Sequence, residues 1–329
     1  MSADAGDLTV GELSEGRILR RILDVLGPSS ALVGPGDDAA VIAAPGGSVV
    51  ATTDTLVHGP DFRLAWSSGF DLGWKAAAVN LADIAAMGAR PTALLVALAL
   101  PNSTRVSFVE EFAAGLRGAC DALAPGCAVE GGDLTVSDTL TIAVTALGSL
   151  DGRAPVLRSG ARVGEVVAVA GELGHAASGL AILFERFTDD DGHPLPLDVP
   201  SGPDGQAVLA QLRPSPPIAL GATAAVRGAS AMMDVSDGLA LDAARMADAS
   251  GVSIDIDSRL LPDDVRTALT GGEDHALLAT FPAELVPDSG FRPIGRVIAR
   301  SGDPVLLDGR PFGGRTGWDP YRDWDSVTG

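Results

Sequence analysis

Seven aspartates stand in short motifs rich in small residues: Asp37 and Asp38 in GPGDD, Asp54 in TTDT, Asp83 in NLAD, Asp133 in GGD, and Asp234 and Asp237 in DVSDG. Each motif falls where one element hands over to the next. Two unit charges about 4 Å apart repel by about 4 kcal/mol at an effective dielectric near 20, so a fold that gathers these carboxylates must also admit a cation. Oxygen-only ligands on hard turns favour Mg²⁺, which keeps several waters and is commonly shared with substrate phosphates. The pattern points to phosphoryl chemistry. Taken singly, GPGDD and GGD also read as plain turns, and Ser236 or Asp237 as a helix cap. Asp83 resists that reading, because a mid-helix Asp on an apolar face is a poor helix former and costly to bury unpaired.

Composition narrows the chemistry further. The 329-residue chain is 46% hydrophobic and has a net charge of −20. It is long enough for two domains with sizeable cores, and its charge disfavours nucleic acid and anionic membranes as partners. Lys75 is its one lysine beside 22 arginines, and no G-x-x-x-x-G-K-[ST] occurs, so phosphates must be held without a P-loop. Cys120 and Cys127 form no CxxC pair, four histidines supply no HExxH, and the longest apolar run, Ala93 to Leu100, is too short to span a bilayer. A reduced, cytoplasmic protein is expected.

The elements that must position the acids follow from periodicity. Leu13, Ile18, Leu19, Ile22 and Leu26 predict a helix over 12–26, and residues 49–54 a strand ending in Thr52, Thr53 and Asp54. Residues 71–88 predict a helix closed by Gly88, with Ala76, Asn80, Asp83, Ile84 and Met87 on one face. A strand at 93–100, a helix through Val109 to Leu123 and a strand at 140–146 complete the first half. The second half predicts helices at 175–187, 217–228 and 238–250, strands near 230–234, 253–257, 275–281 and 293–298, and a polar Pro/Gly loop at 188–205. Interleaved strands and helices give two α/β or α+β domains, divided as 1–152 and 153–329.

The ordered set GPGDDAAVI, ATTDTLVHG, DLGWKAAAVNLADIAAMGARP, EGGDLT, RSGARVGE, LRPSPP, MMDVSDGL, TGGEDHALL and GWDPY resembles the thiamine-monophosphate kinase family of the aminoimidazole-ribotide-synthetase-like superfamily, over nearly the whole chain. The resemblance implies an N-terminal domain that forms a dimeric β-barrel, a C-terminal α/β domain, and ATP between them. It implies that Asp37, Thr52, Thr53, Asp54, Asp83, Asp133, Asp234 and Asp237 ligate several Mg²⁺ ions. Gly132, Asp133, Arg158 and Ser236 would contact ATP, and Glu273 and Trp318 would face thiamine monophosphate. Asp61 stands where the family usually carries a substrate-contacting His, with His58 three residues earlier. Leu134 and His275 replace a common Thr and Tyr.

A phosphate acceptor is mostly ionised at neutral pH, with a second pKa near 6, so no general base is expected. The expected reaction is direct in-line transfer of the γ-phosphoryl group by a homodimeric enzyme. Two other readings keep part of the evidence. One is another ATP-using ligase or maturation-type member of the superfamily, and the other is a non-catalytic acidic ion-binding protein.

Overall fold

The structure, a computed structural model, describes residues 8–29, 31–32, 42–44 and 46–318. Asp37, Asp38 and the segment after Trp318 lie outside the described residues. Helix α1 (Glu15–Leu26) ends at Gly27, whose φ of 81° suits a residue without Cβ. Then come β1 (Val50–Val57), α2 (Gly69–Ala86), β2 (Arg90–Leu100), α3 (Val106–Leu123), β3 (Ala128–Val136) and β4 (Thr141–Ser149). The four strands form one sheet in the order β1-β4-β2-β3, antiparallel except for β2 and β3.

Helix α2 is the keel of the fold. It is apolar on nearly every side, the signature of a helix enclosed by other elements, and packs against the sheet, α3 and a helix of the second half at Ile218–Val226. Its start is fixed by Ser68, whose hydroxyl accepts from the Asp71 N–H (3.2 Å) while the Asp71 carboxylate accepts from the Ser68 N–H (2.9 Å). Helix α3 runs so close that a Cβ on Gly73 would strike the Phe112 carbonyl. Gly73→Ala is therefore expected to cost about 1–3 kcal/mol, read as a lower denaturant midpoint at unchanged slope.

The second half contains β5 (Val166–Ala170), α4 (His175–Arg186), α5 (Gly202–Leu212), α6 (Ile218–Val226), β6 (Ala231–Val235), α7 (Leu239–Ser250), β7 (Val252–Ile256), α8 (Val265–Thr270), β8 (Ala276–Phe281), β9 (Arg292–Ala299), β10 (Val305–Leu307) and β11 (Arg310–Pro311). Seven strands order as β11-β10-β7-β9-β5-β8-β6, with β7 and β10 the one parallel pair. Strand β8 is buried along its whole length. One apolar cluster runs from Leu72 and Ile84 of α2 through Ala224 to Leu277 and Phe281, so the two halves share a core.

Both sheets are mixed and mostly antiparallel, which places the chain on the α+β side of the expectation. The four-stranded sheet is open within this chain. The fold departs from the expectation in two ways. The GGD motif lies inside β3, not before a strand, because Gly132 lets β3 approach β2 where a side chain would strike the Val96 carbonyl. The loop expected over 188–205 ends at Ser201, where α5 begins. Its SGPDG opening looks like a turn, yet Pro203 in a first helical turn forfeits only an N–H that has no partner there anyway.

Candidate active site

Strand alternation sorts the TTDT motif. Thr52 and Asp54 face α2, and Thr53 points to the opposite, open side. The Thr52 hydroxyl donates to Asp83 Oδ2 (2.7 Å), and the Asp54 N–H donates to Asn80 Oδ1 (3.1 Å). Burial, then the charges of Asp234 and Asp54, push the Asp83 carboxyl up to about 7, against the Thr52 hydrogen bond. Burial raises Asp54 as well, with Asp234, Glu273 and Asp237 adding repulsion and His275 opposing it. Asp54, Asp83, Asp234 and Asp237 therefore act on one another across β1, α2 and the turn after β6. An all-oxygen set in which burial and neighbouring charges disfavour ionisation of Asp83 and Asp54 is what a hard divalent cation would relieve, so these residues fit Mg²⁺.

The turn at residues 271–275 organises the second side. Gly272 packs where any side chain would strike the Ser236 carbonyl, which brings the GGED and DVSDG motifs together. Glu273 and His275 adopt φ of 73° and 52°, each costing on the order of 1–3 kcal/mol for a non-glycine residue. The strain is held by partners on three sides. The Glu273 N–H donates to the Ser236 carbonyl (2.9 Å), Asp274 Oδ1 accepts from Ala176 N at the start of α4 (2.8 Å), and His275 Nδ1 meets Asp234 Oδ2 (3.1 Å). Burial alone would lower His275, but its hydrogen bond to Asp234 and that residue's charge win, so its pKa lies above the usual histidine value.

Beside this turn opens a pocket of about 500 Å³ with walls from both halves of the chain. Asp61, Arg63, Trp66 and Lys75 come from the first half, and Ser236, Glu273 and Trp318 from the second. Lys75 Nζ lies 2.6 Å from Glu273 Oε2, with the lysine side chain 5% exposed and the glutamate 42%. Trp318 is anchored by its N–H to the Asp237 carbonyl (2.9 Å), and the Arg315 guanidinium stands 5.5 Å from its ring centre. Asp61 accepts from the Val57 N–H (2.7 Å), and burial raises its carboxyl. His58 instead lies tilted against Phe62 (5.6 Å between ring centres, 44° between planes) and is not among the described residues lining the pocket.

Four expected ligands or contacts sit elsewhere, the first being Thr53 on the open face of β1. Asp133 shares a register row with Ala97, Ala143 and Thr55. That puts it on the open face with Thr53, three strand spacings or about 14 Å from β1. Gly132 is its neighbour on β3, with a backbone-packing reason of its own. Arg158 is exposed in the segment joining the halves, where its carbonyl accepts from Ser250 Oγ (3.0 Å). Asp189, Asp191 and His193 also converge within 4.8 Å, but all three are exposed in a loop.

Several site residues escaped the sequence reading. Lys75 is the chain's one lysine, a signal in plain view. Asp242 is fully buried on α7, where it accepts from the Asp237 N–H (3.1 Å) and shares Arg245 with Asp237 at 2.6 Å each. Burial, then Asp234 and Asp237, push it to about 6.

The fold and site define a member of the AIR synthase related family, to which the chain belongs: the N-terminal and C-terminal domain models match residues 36–150 and 162–285. Within it, relatives of the chain include thiamine-monophosphate kinases. That of Mycobacterium tuberculosis is 42% identical over 320 residues, covering 91% of this chain and 89% of that protein. The thiamine-monophosphate kinase structure from Stenotrophomonas maltophilia K279a is 32% identical with a TM-score of 0.75, covering 90% of this chain and 96% of that one. A second structure, described as AaThiL complexed with AMPPCP and TMP, is 33% identical with a TM-score of 0.73, covering 93% and 97%. No described helix is long and apolar enough to cross a membrane.

Proposed function

We propose that the chain transfers the γ-phosphoryl group of ATP directly to thiamine monophosphate, yielding thiamine diphosphate and ADP. The observation that carries this reading is the acid cluster whose Asp54 feels the charge of Glu273, a residue lining a pocket built by both halves, with that Glu273 carboxylate and a Trp318 ring suited to a cationic aromatic acceptor. The relatives named for this activity, and the neighbour bound to an ATP analogue and TMP, support it.

Asp54, Asp83, Asp234 and Asp237, with Thr52, would hold Mg²⁺, which when bound neutralises phosphate charge between two anions. Asp37 would join them from outside the described residues. Ser236 would contact the nucleotide. Asp61, Glu273 and Trp318 would orient the acceptor. An acceptor phosphate oxygen forms the new P–O bond as the bond to the β–γ bridging oxygen breaks, and no proton need move, so none of these residues serves as a general base.

The same reading divides the chain near residue 152 and makes it a cytoplasmic homodimer. The open face of the four-stranded sheet, bearing Thr53 and Asp133, would close on a second copy as a barrel. Incubation with Mg-ATP and thiamine monophosphate, followed by chromatography, should show thiamine diphosphate and ADP in equal amounts. ADP without the diphosphate, or no product, would contradict the assignment.

A further inference from the structure

The pocket has two chemically different ends, and α4 sets the distance between them. Ala177, Leu180 and Phe184 line it at i, i+3 and i+7 from one helix face. At 1.5 Å per residue, Ala177 to Phe184 spans about 10 Å. The start of α4 is tied to Asp274, and Ala177 packs against Gly271, so this end of the helix face lies at the turn that carries Glu273. Phe184 stands two turns away, edge-on to Trp66 with ring centres 5.2 Å apart and an interplanar angle of 85°. The Trp66 indole N–H is fixed to the Phe187 carbonyl (3.0 Å), and the Arg63 guanidinium carbon lies 5.9 Å from the Trp66 ring centre and 6.0 Å from that of Phe184.

We propose that Trp66, Phe184 and Arg63 form the selectivity wall for the ring of the acceptor farthest from its phosphate, an uncharged flat heterocycle with acceptor nitrogens. Resting on the kinase reading, this assigns the aminopyrimidine of thiamine monophosphate to Phe184 and Arg63 and the thiazolium to Glu273. The charges set that order. Arg63 repels a cationic ring and donates to neutral ring nitrogens, whereas Glu273 attracts the cation. Phe184, 38% exposed, offers an edge and part of a face to stack upon.

The test uses thiamine monophosphate and a truncated competitor, the phosphate of N-methyl-5-(hydroxyethyl)thiazolium, which keeps the cationic ring and phosphate but lacks the pyrimidine. Phe184→Ala should raise KM for thiamine monophosphate about 5-fold, the worth of one aromatic contact, with kcat changed by less than about 2-fold. Phe184→Tyr should restore KM. The competitor's Ki should be the same for the wild-type and Phe184→Ala enzymes, and Arg63→Gln should show the same split. Equal weakening of both ligands, or an unchanged KM for thiamine monophosphate, overturns the wall. A wild-type enzyme that makes no thiamine diphosphate overturns the kinase reading and this assignment with it.

Discussion

Asp83→Asn will lower turnover by at least about 1,000-fold while raising the melting temperature of the Mg²⁺-free protein at pH 8. The amide keeps the size of the carboxyl group and an oxygen for the Thr52 hydroxyl, now 2.7 Å away, but removes the charge that Asp234 and Asp54 oppose. The sign follows from linkage. Asp83 titrates near 7 when folded against an ordinary 3.8, so its contribution to stability is complete below about pH 4 and is lost as pH rises through 7. The variant has no such loss, and its advantage should widen from pH 5 to pH 8. Thermal melts in chelator, paired with a turnover assay, check both halves. A variant that melts below wild type at pH 8, or that keeps its turnover, contradicts the placement of Asp83 in the cluster.

Magnesium binding in the presence of a non-hydrolysable ATP analogue should strengthen about 50-fold between pH 5 and pH 7 and level off by about pH 8, because a ligand must shed its proton before it can bind a metal. With a carboxyl near 7, about one molecule in a hundred is ready at pH 5. Burial raises Asp54 in the same direction. Calorimetric titration at intervals of one pH unit would show the slope. Affinity that is flat from pH 5 to pH 8 would mean that Asp83 and Asp54 are not ligands.

What the sequence revealed was governed by range. Helical spacing from Val109 to Leu123 and the apolar run of β2 are local signals, and both elements formed where expected. Asp83 stood out because an aspartate on an apolar helix face needs a partner, and the structure supplies the Thr52 hydroxyl. Alternation along β1 already implies that Thr52 and Thr53 cannot face the same side, so the two threonines were separable before any coordinates. Non-local facts were hidden. The Lys75–Glu273 pair joins residues 198 apart, and no short-range pattern links them. Asp242 looks like an ordinary polar residue in a helix until α7 packs it beneath the turn after β6. The short α8 and the strand pair β10–β11 carry too few residues for a period to show.

The enclosure of α2 has a consequence for how such chains can diverge. Lys75, which reaches the pocket, and Asp83, which reaches Thr52, ride on one rod about 12 Å apart along its axis. Individual letters between them can change wherever the neighbours accommodate a new shape. Inserting or deleting a single residue there would swing everything beyond it by about 100°, carrying Asp83 away from β1 while Lys75 stayed on Glu273. The inheritable quantity in this stretch is its length, and gene variants that alter it should be catalytically inactive even if they fold.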